Sequence, residues 1–214
     1  MISLTPILSP ISVELIHHVG SDLTVANAAR VSFAKRTTEL TQRDTKLIHY
    51  LADHKHHSPF NHSFMTFCIK APIFVARQLV KHKFMPWNEV SRRYVDSAPA
   101  FFMPDGWRGR AENVKQGSTD ELIWKADTIP TSVRKALEDY SWMIEAGVCP
   151  EQARMVLPQN TMTEWWWSGT LGAFLDMLVL RLDPHTQKET RLVAELIGAK
   201  VKELFPVAYG AYIK

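Results

Sequence analysis

A chain of 214 residues is sized for one domain or one subunit of an oligomer, and is long enough to bury a sizeable core. Hydrophobic residues at 46% and charged residues at 22% place it in the ordinary globular range. A formal net charge of +3 suits an anionic small molecule and falls short of the basic excess that nucleic-acid binding calls for. Cys68 and Cys149 can form at most one disulfide, so no disulfide framework exists. Cys68 lies in an apolar run and reads as a buried thiol in a reducing cytoplasm; neither cysteine sits in a nucleophile motif. Residues 1–13 lack the basic start and apolar core of a signal peptide, and no apolar run approaches the ~18 residues of a membrane span.

The elements read as mixed α and β. Residues 11–19 are expected as a strand, and Asp22 to Ala29 as a helix with Ser21 at its N-cap. Thr41 to Ala52 is a helix capped by Thr41, with Leu47, Ile48 and Leu51 on one face. His62 to Lys70 alternates as a strand buried on both faces, and Pro72 opens a helix over Ile73 to His82. Pro104 to Gly117 is a polar, turn-rich excursion within one domain spanning residues 1–214. Helices follow over Thr131 to Ala146, ended by Gly147, and over Gly169 to Leu180. A last helix, His185 to Leu204, carries an apolar stripe of Leu192, Val193, Leu196, Ile197, Val201 and Leu204.

The segment richest in chemistry runs from Arg77 to Tyr94. Arg77 and Lys81, and likewise Gln78 and His82, are four apart and share helix faces. A cationic helix end running into a polar loop can hold a phosphate and read the edge of a heterocycle. The plainer reading has Lys81, His82 and Lys83 complement the negative end of a helix dipole. His54, His56 and His57 invite a metal reading, but no cysteine or acidic partner has ligand spacing nearby except Asp53, and no metal site is expected. Trp165, Trp166 and Trp167 read as core or subunit contact.

The run Lys81-His82-Lys83, then Asn88-Glu89, Ser91 and Arg93-Tyr94, closely resembles the signature of the flavin-dependent thymidylate synthases. The likeness extends through SDLTVANAARVSF, HSPFNHSFMTFCIKAPIFVARQ, QARMVLP and LRLDPHTQ, and so covers most of the chain. There are departures: two signature arginines are Lys81 and Lys83, a serine is Pro86, and an Asn-x-Arg-x-x-x-Asn pattern is replaced by Thr170, Gly172 and Asp176 at its fixed positions. Lysine keeps the charge and loses the planar fork.

The resemblance implies an α/β fold of the α+β type, with a central antiparallel sheet flanked by helices. It implies reductive methylation of dUMP to dTMP, with methylenetetrahydrofolate as carbon donor and FAD with NADPH as reductant. Gln78, Lys81, Glu89, Ser91, Arg92, Arg93, Arg154 and Arg181 match the dUMP positions, Arg181 as the cation that stabilises charge on the uracil ring. Ser32, Ser58, Lys81, His82, Lys83, Glu89, Thr170, Asp176 and His185 match flavin positions, and His56 matches a catalytic histidine stacked near flavin and folate. A cytoplasmic homotetramer with shared active sites is implied, with no nucleic-acid or membrane partner. A nucleotide hydroxymethylase of the same family, a non-catalytic nucleotide-binding or nucleic-acid-binding protein and a metal-dependent hydrolase stay open as alternatives.

Overall fold

The structure is a computed structural model that describes residues 4–112, 117–125 and 129–213. Short strand β1 (Ile7–Leu8) precedes β2 (Ser12–Val19), then come helices α1 (Asp22–Arg30) and α2 (Gln42–Asp53), then β3 (Phe64–Pro72). Alternation along β3 puts Met65, Phe67, Ile69 and Ala71 on one face, and all four are fully buried. The other face is buried only in part: Thr66 is buried, while Phe64, Cys68 and Lys70 are half-buried, the last two in rows with Glu14 and Glu164. Helix α3 (Ile73–Leu79) and strands β4 (Trp87–Glu89) and β5 (Ala100–Phe101) follow, β5 pairing in parallel with β1.

The expected polar excursion contains a strand. β6 (Gly106–Arg110) pairs with β7 (Ser118–Lys125) as an antiparallel hairpin, while residues 113–116 of the excursion lie outside the described residues. After α4 (Thr131–Glu145), Gly147 takes φ +84°, the left-handed conformation that ends helices cheaply. Short α5 (Pro150–Ala153) leads to β8 (Met162–Thr170), an element absent from the sequence-based expectations. The main sheet runs β2-β3-β8-β4, antiparallel throughout.

β8 explains the three tryptophans. Its alternation buries Trp165 and Trp167 in the core and leaves Trp166 half-exposed on the outer face. Trp87 stacks on Trp165 at 4.5 Å and meets Trp167 edge-on at 5.8 Å, fixing β4 to the sheet. Helices α6 (Leu171–Arg181), α7 (Lys188–Leu204) and α8 (Pro206–Tyr212) cover the core with α1 and α2. α6 begins after the expected Gly169, since β8 continues to Thr170, whose hydroxyl then caps α6 by accepting from the Ala173 N–H at 3.2 Å. α7 begins at Lys188, not His185: Asp183 holds a turn there, its carboxylate accepting from the His185 N–H at 2.7 Å and its carbonyl from the Thr186 N–H at 2.9 Å.

Thr41 caps α2 as expected, in a reciprocal box with Asp44. Asp44 also pairs with Arg30 at 2.6 Å, tying α2 to α1. Buried Asp22 caps α8 from the far end of the sequence, accepting from the Val207 and Ala208 N–H groups at 2.8 and 2.9 Å. Among the described residues no helix is long and apolar enough to cross a membrane.

Candidate active site

Helix α3 stops at Leu79, three residues short of its expected end. Pro86 disfavours helical backbone at Met85, and Phe84 takes a left-handed φ of +60° while almost wholly exposed. The chain therefore turns through Lys81, His82 and Lys83. The His82 N–H reaches the Leu79 carbonyl at 3.1 Å, and the His82 ring lies 6.0 Å from that of Trp167.

Arg181, at the C-terminal end of α6, meets this turn. Its Nε donates to His82 Nε2 at 3.0 Å and its Nη2 to the Gln78 carbonyl at 3.2 Å. Burial, with the Arg181 cation beside it, pushes His82 down to about 4, so the ring is neutral near pH 7. Burial also lowers Arg181, which remains a cation because arginine starts so high. Arg181 and Gln78 line a cleft of about 1010 Å³, with Arg77, Lys81, Asp176 and His185; His82 stands behind Arg181 and does not line it. Arg77, Lys81 and Lys83 form no ion pair among the described residues. The Gln78 side chain donates to Gln187, Gln187 to Glu189, and Glu189 pairs with Arg108 at 2.7 Å, bracing one wall.

A second cleft, about 280 Å³, is lined by Glu89, Arg92, Arg154, Lys70, Thr163 and Glu164 among others. It shares no lining residue with the first. Glu89 accepts from Trp87 Nε1 at 3.0 Å and from the Thr163 hydroxyl at 2.8 Å, so β4 and β8 hold its carboxylate in place. Arg92 donates to the Ser97 carbonyl at 2.9 Å and Arg154 Nε to the Glu151 carbonyl at 3.2 Å. Arg93 Nε donates to the Ser91 hydroxyl at 3.3 Å, and its guanidinium lies 4.9 Å from the Tyr94 ring centroid. The residues matched to one nucleotide thus fall into two groups. Gln78, Lys81 and Arg181 line the first cleft; Glu89, Arg92 and Arg154 line the second; Ser91 and Arg93 adjoin the second in sequence and line neither.

The residues matched to flavin gather partly around the start of α6. The Thr170 hydroxyl donates to Asn61 Oδ1 at 2.7 Å, and Asn61 shares the short turn Ser58–His62 with Ser58. A Cβ at Gly172 would lie 2.5 Å from Asn61 Oδ1, so Asn61 covers the place a side chain at 172 would need. Sequence reasoning gives Asn61 no role; its position within HSPFNHSF is the available signal. Burial raises the Asp176 carboxyl against the pull of His57, and burial plus Asp176 pushes the Tyr212 hydroxyl up to about 12. His185 lines the first cleft and contacts Asp183 at 2.9 Å.

Ser58, His82, Lys83 and Thr170 line neither cleft, and Ser32 and His56 also lie outside both. Ser32 is exposed on the turn Val31–Phe33, and His56 is grouped with Tyr50 and His54 beyond α2. In that group His54 stacks on Tyr50 at 4.0 Å, while His57 Nδ1 lies 3.4 Å from the Tyr212 hydroxyl. Cys68 is half-buried on the outer sheet face, where burial and the charges of Glu164 and Glu14 raise its thiol; Cys149 is exposed at the start of α5.

An antiparallel sheet under helices, with one cationic cleft between the ends of α3 and α6 and a second beside β4 and β8, defines an α/β protein suited to small anionic ligands. The chain belongs to the thymidylate synthase complementing protein family, whose model matches residues 14–207. It is 36% identical over 202 residues to a flavin-dependent thymidylate synthase of Pseudothermotoga lettingae, covering 94% of this chain and 90% of that one. Against a flavin-dependent thymidylate synthase of Thermus thermophilus, identity is 38% over 211 residues, covering 97% of this chain and 77% of that one. Among solved structures, the UMP/dUMP methylase PolB from Streptomyces cacaoi bound with 5-Br dUMP matches with a TM-score of 0.85 at 33% identity, covering 97% of each chain.

Proposed function

We propose that this chain is a flavin-dependent thymidylate synthase, one domain over residues 1–214, that converts dUMP to dTMP in the cytoplasm. The observation that carries the reading is the fixed Arg181 guanidinium in a cationic cleft beside Gln78 and Lys81. Gln78, Lys81, Glu89, Ser91, Arg92, Arg93 and Arg154 hold the nucleotide, Arg93 as a phosphate ligand. Arg181 faces the carbonyl and N3 edge of the uracil, where negative charge spreads as C5 becomes nucleophilic.

The residues present fit FAD. Arg77, Lys81 and Lys83 are cations without ion-pair partners among the described residues, as a diphosphate requires. Thr170 and Asn61 set polar groups at the start of α6, next to Ser58. Ser32, Ser58, Lys81, His82, Lys83, Glu89, Thr170, Asp176 and His185 are its proposed contacts, and His56 would lie near the flavin and folate and help to orient them. Bound FAD reduced by NADPH supplies the hydride, and methylenetetrahydrofolate supplies the carbon.

No thiolate is required. Cys68, with its thiol raised by burial and two nearby carboxylates, stays protonated at neutral pH. A Cys68→Ala/Cys149→Ala variant should retain most of its turnover, measured as dTMP formed per bound flavin. Complete loss in a folded, flavin-loaded sample would point to a thiol nucleophile instead.

The partition of the nucleotide residues between two clefts supports a shared site, in which Gln78, Lys81 and Arg181 of one protomer face Glu89, Arg92 and Arg154 of another. We infer a homotetramer. Light scattering should give about four times the 24.5 kDa chain mass; a monomer that turns over would refute shared sites.

The deciding test is spectroscopic. Mixing the purified protein with FAD should give flavin absorbance that stays with the protein, together with changed flavin fluorescence. Adding methylenetetrahydrofolate and NADPH with dUMP, and separately with UMP, should then yield the 5-methyl product by mass spectrometry. No flavin binding at high FAD concentration would end the assignment, and a 5-hydroxymethyl product would move it to the hydroxymethylase.

A further inference from the structure

Arg181 is held by two groups that the early end of α3 makes available. In a helix continued through His82, the Gln78 carbonyl would accept from the His82 N–H four residues on. Here the His82 N–H turns to Leu79, and the freed Gln78 carbonyl accepts from Arg181 Nη2 at 3.2 Å. The same turn swings the His82 ring inward, where Nε2 accepts from Arg181 Nε at 3.0 Å. Two contacts on different nitrogens fix both the plane and the rotation of a guanidinium. The Nη1 protons and one Nη2 proton remain for a ligand in the cleft.

We propose that His82 is a positioning residue for the reaction, its Nε2 lone pair setting the edge that Arg181 presents to the pyrimidine. The inference rests on the proposed function and deepens it: His82 acts on the nucleotide through Arg181, in addition to any contact its Nδ1–H makes with flavin. Accepting at Nε2 requires the tautomer protonated at Nδ1. The groups facing the ring are the Arg181 cation from α6 and the Trp167 indole from β8, and burial and the cation both disfavour imidazolium. Protonation would remove the acceptor and set two cations side by side.

The test compares His82→Gln, which keeps a neutral acceptor at the end of a similar reach, with His82→Leu, which keeps bulk and loses the acceptor. Flavin affinity is read by fluorescence, dUMP affinity by calorimetry, and kcat and KM by dTMP formation. His82→Leu should lose ~10²-fold in kcat, since a donor that is no longer preorganised resembles one removed. Any loss of flavin affinity should be shared by both variants and leave them loaded at saturating FAD, while His82→Gln alone should restore most of the rate. Equal kcat in wild type and His82→Leu overturns the proposal. So does a loss confined to flavin affinity in both variants, which would leave His82 a flavin contact alone. Nitrogen-15 NMR of the wild-type protein supplies a readout independent of catalysis: His82 unprotonated at Nε2 near pH 7, coupled to a protected Arg181 Nε–H that exchanges freely in His82→Leu. An Nε2-protonated ring sinks the positioning role even if the enzyme makes dTMP. Failure of wild type to bind dUMP or FAD sinks the functional reading, whatever the NMR shows.

Discussion

Arg181→Lys should keep the fold, the assembly and bound FAD, yet lose at least ~10²-fold in dTMP formation. As a charge at the C-terminal end of α6, Arg181 would contribute about 0.3–1 kcal/mol by complementing the helix dipole, and lysine would serve nearly as well. The structure gives arginine a task that lysine cannot take over. One guanidinium donates at once to His82 Nε2 and the Gln78 carbonyl and still has parallel N–H groups left over. An ammonium has three protons on one atom, so reaching those two acceptors leaves it no planar pair for the pyrimidine edge. Arg181→Ala should be worse and should also weaken dUMP binding. Matched preparations, compared for flavin content and dTMP formation, decide the matter. A lysine variant within a few-fold of wild type reduces Arg181 to a helix-end charge.

Two inactive variants should rescue one another when mixed within one assembly. Arg154 lines the smaller cleft and Arg181 the larger, with no lining residue in common. If a working site takes Arg154 from one protomer and Arg181 from another, Arg154→Ala and Arg181→Ala spoil opposite halves. Each alone should lose at least ~10-fold, the scale of a charge-assisted hydrogen bond to phosphate or carbonyl. Co-expressed in equal amounts, they place both native arginines in about a quarter of the sites by random assortment of protomers. Activity should rise correspondingly above both parents. Differently tagged protomers purified in tandem would establish that the assemblies are mixed. Mixed assemblies no more active than the parents would show that each chain builds its site alone.

The legible parts of the fold have local causes. Thr41 with Asp44, three residues on, marks the start of α2, Gly147 marks the end of α4, and period-two alternation marks β3. β8 escapes a reading of the sequence because three tryptophans in a row hide the alternation: only pairing to β3 and β4 shows that Trp165 and Trp167 face the core and Trp166 does not. The end of α3 is overestimated because Lys81, His82 and Lys83 have ordinary helix propensity, while the backbone is decided by Phe84 and Pro86 beyond them. At the site, residue identities are readable and their grouping is not. Nothing in the spacing of Gln78, Glu89 and Arg154 tells that the first lines one cleft and the others a second. The Arg181–His82 contact joins residues 99 apart and belongs to tertiary packing alone.

The Asp22 cap carries a consequence for how this chain is made. Its carboxylate, 4% exposed, accepts from backbone N–H groups 185 and 186 residues downstream, and burial pushes its pKa up even so. During synthesis α1 emerges early, yet its first residue has no native partners until residues 205–208 have left the ribosome and α8 has formed. At ~5–20 residues per second, that interval is ~10–40 seconds. Until then native packing would bury an unmatched carboxylate at a cost of about 1–3 kcal/mol or more, so α1 gains by staying loose and hydrated. Emergence of α8 therefore completes this corner, and chains interrupted upstream of Val207 would keep it open to proteases.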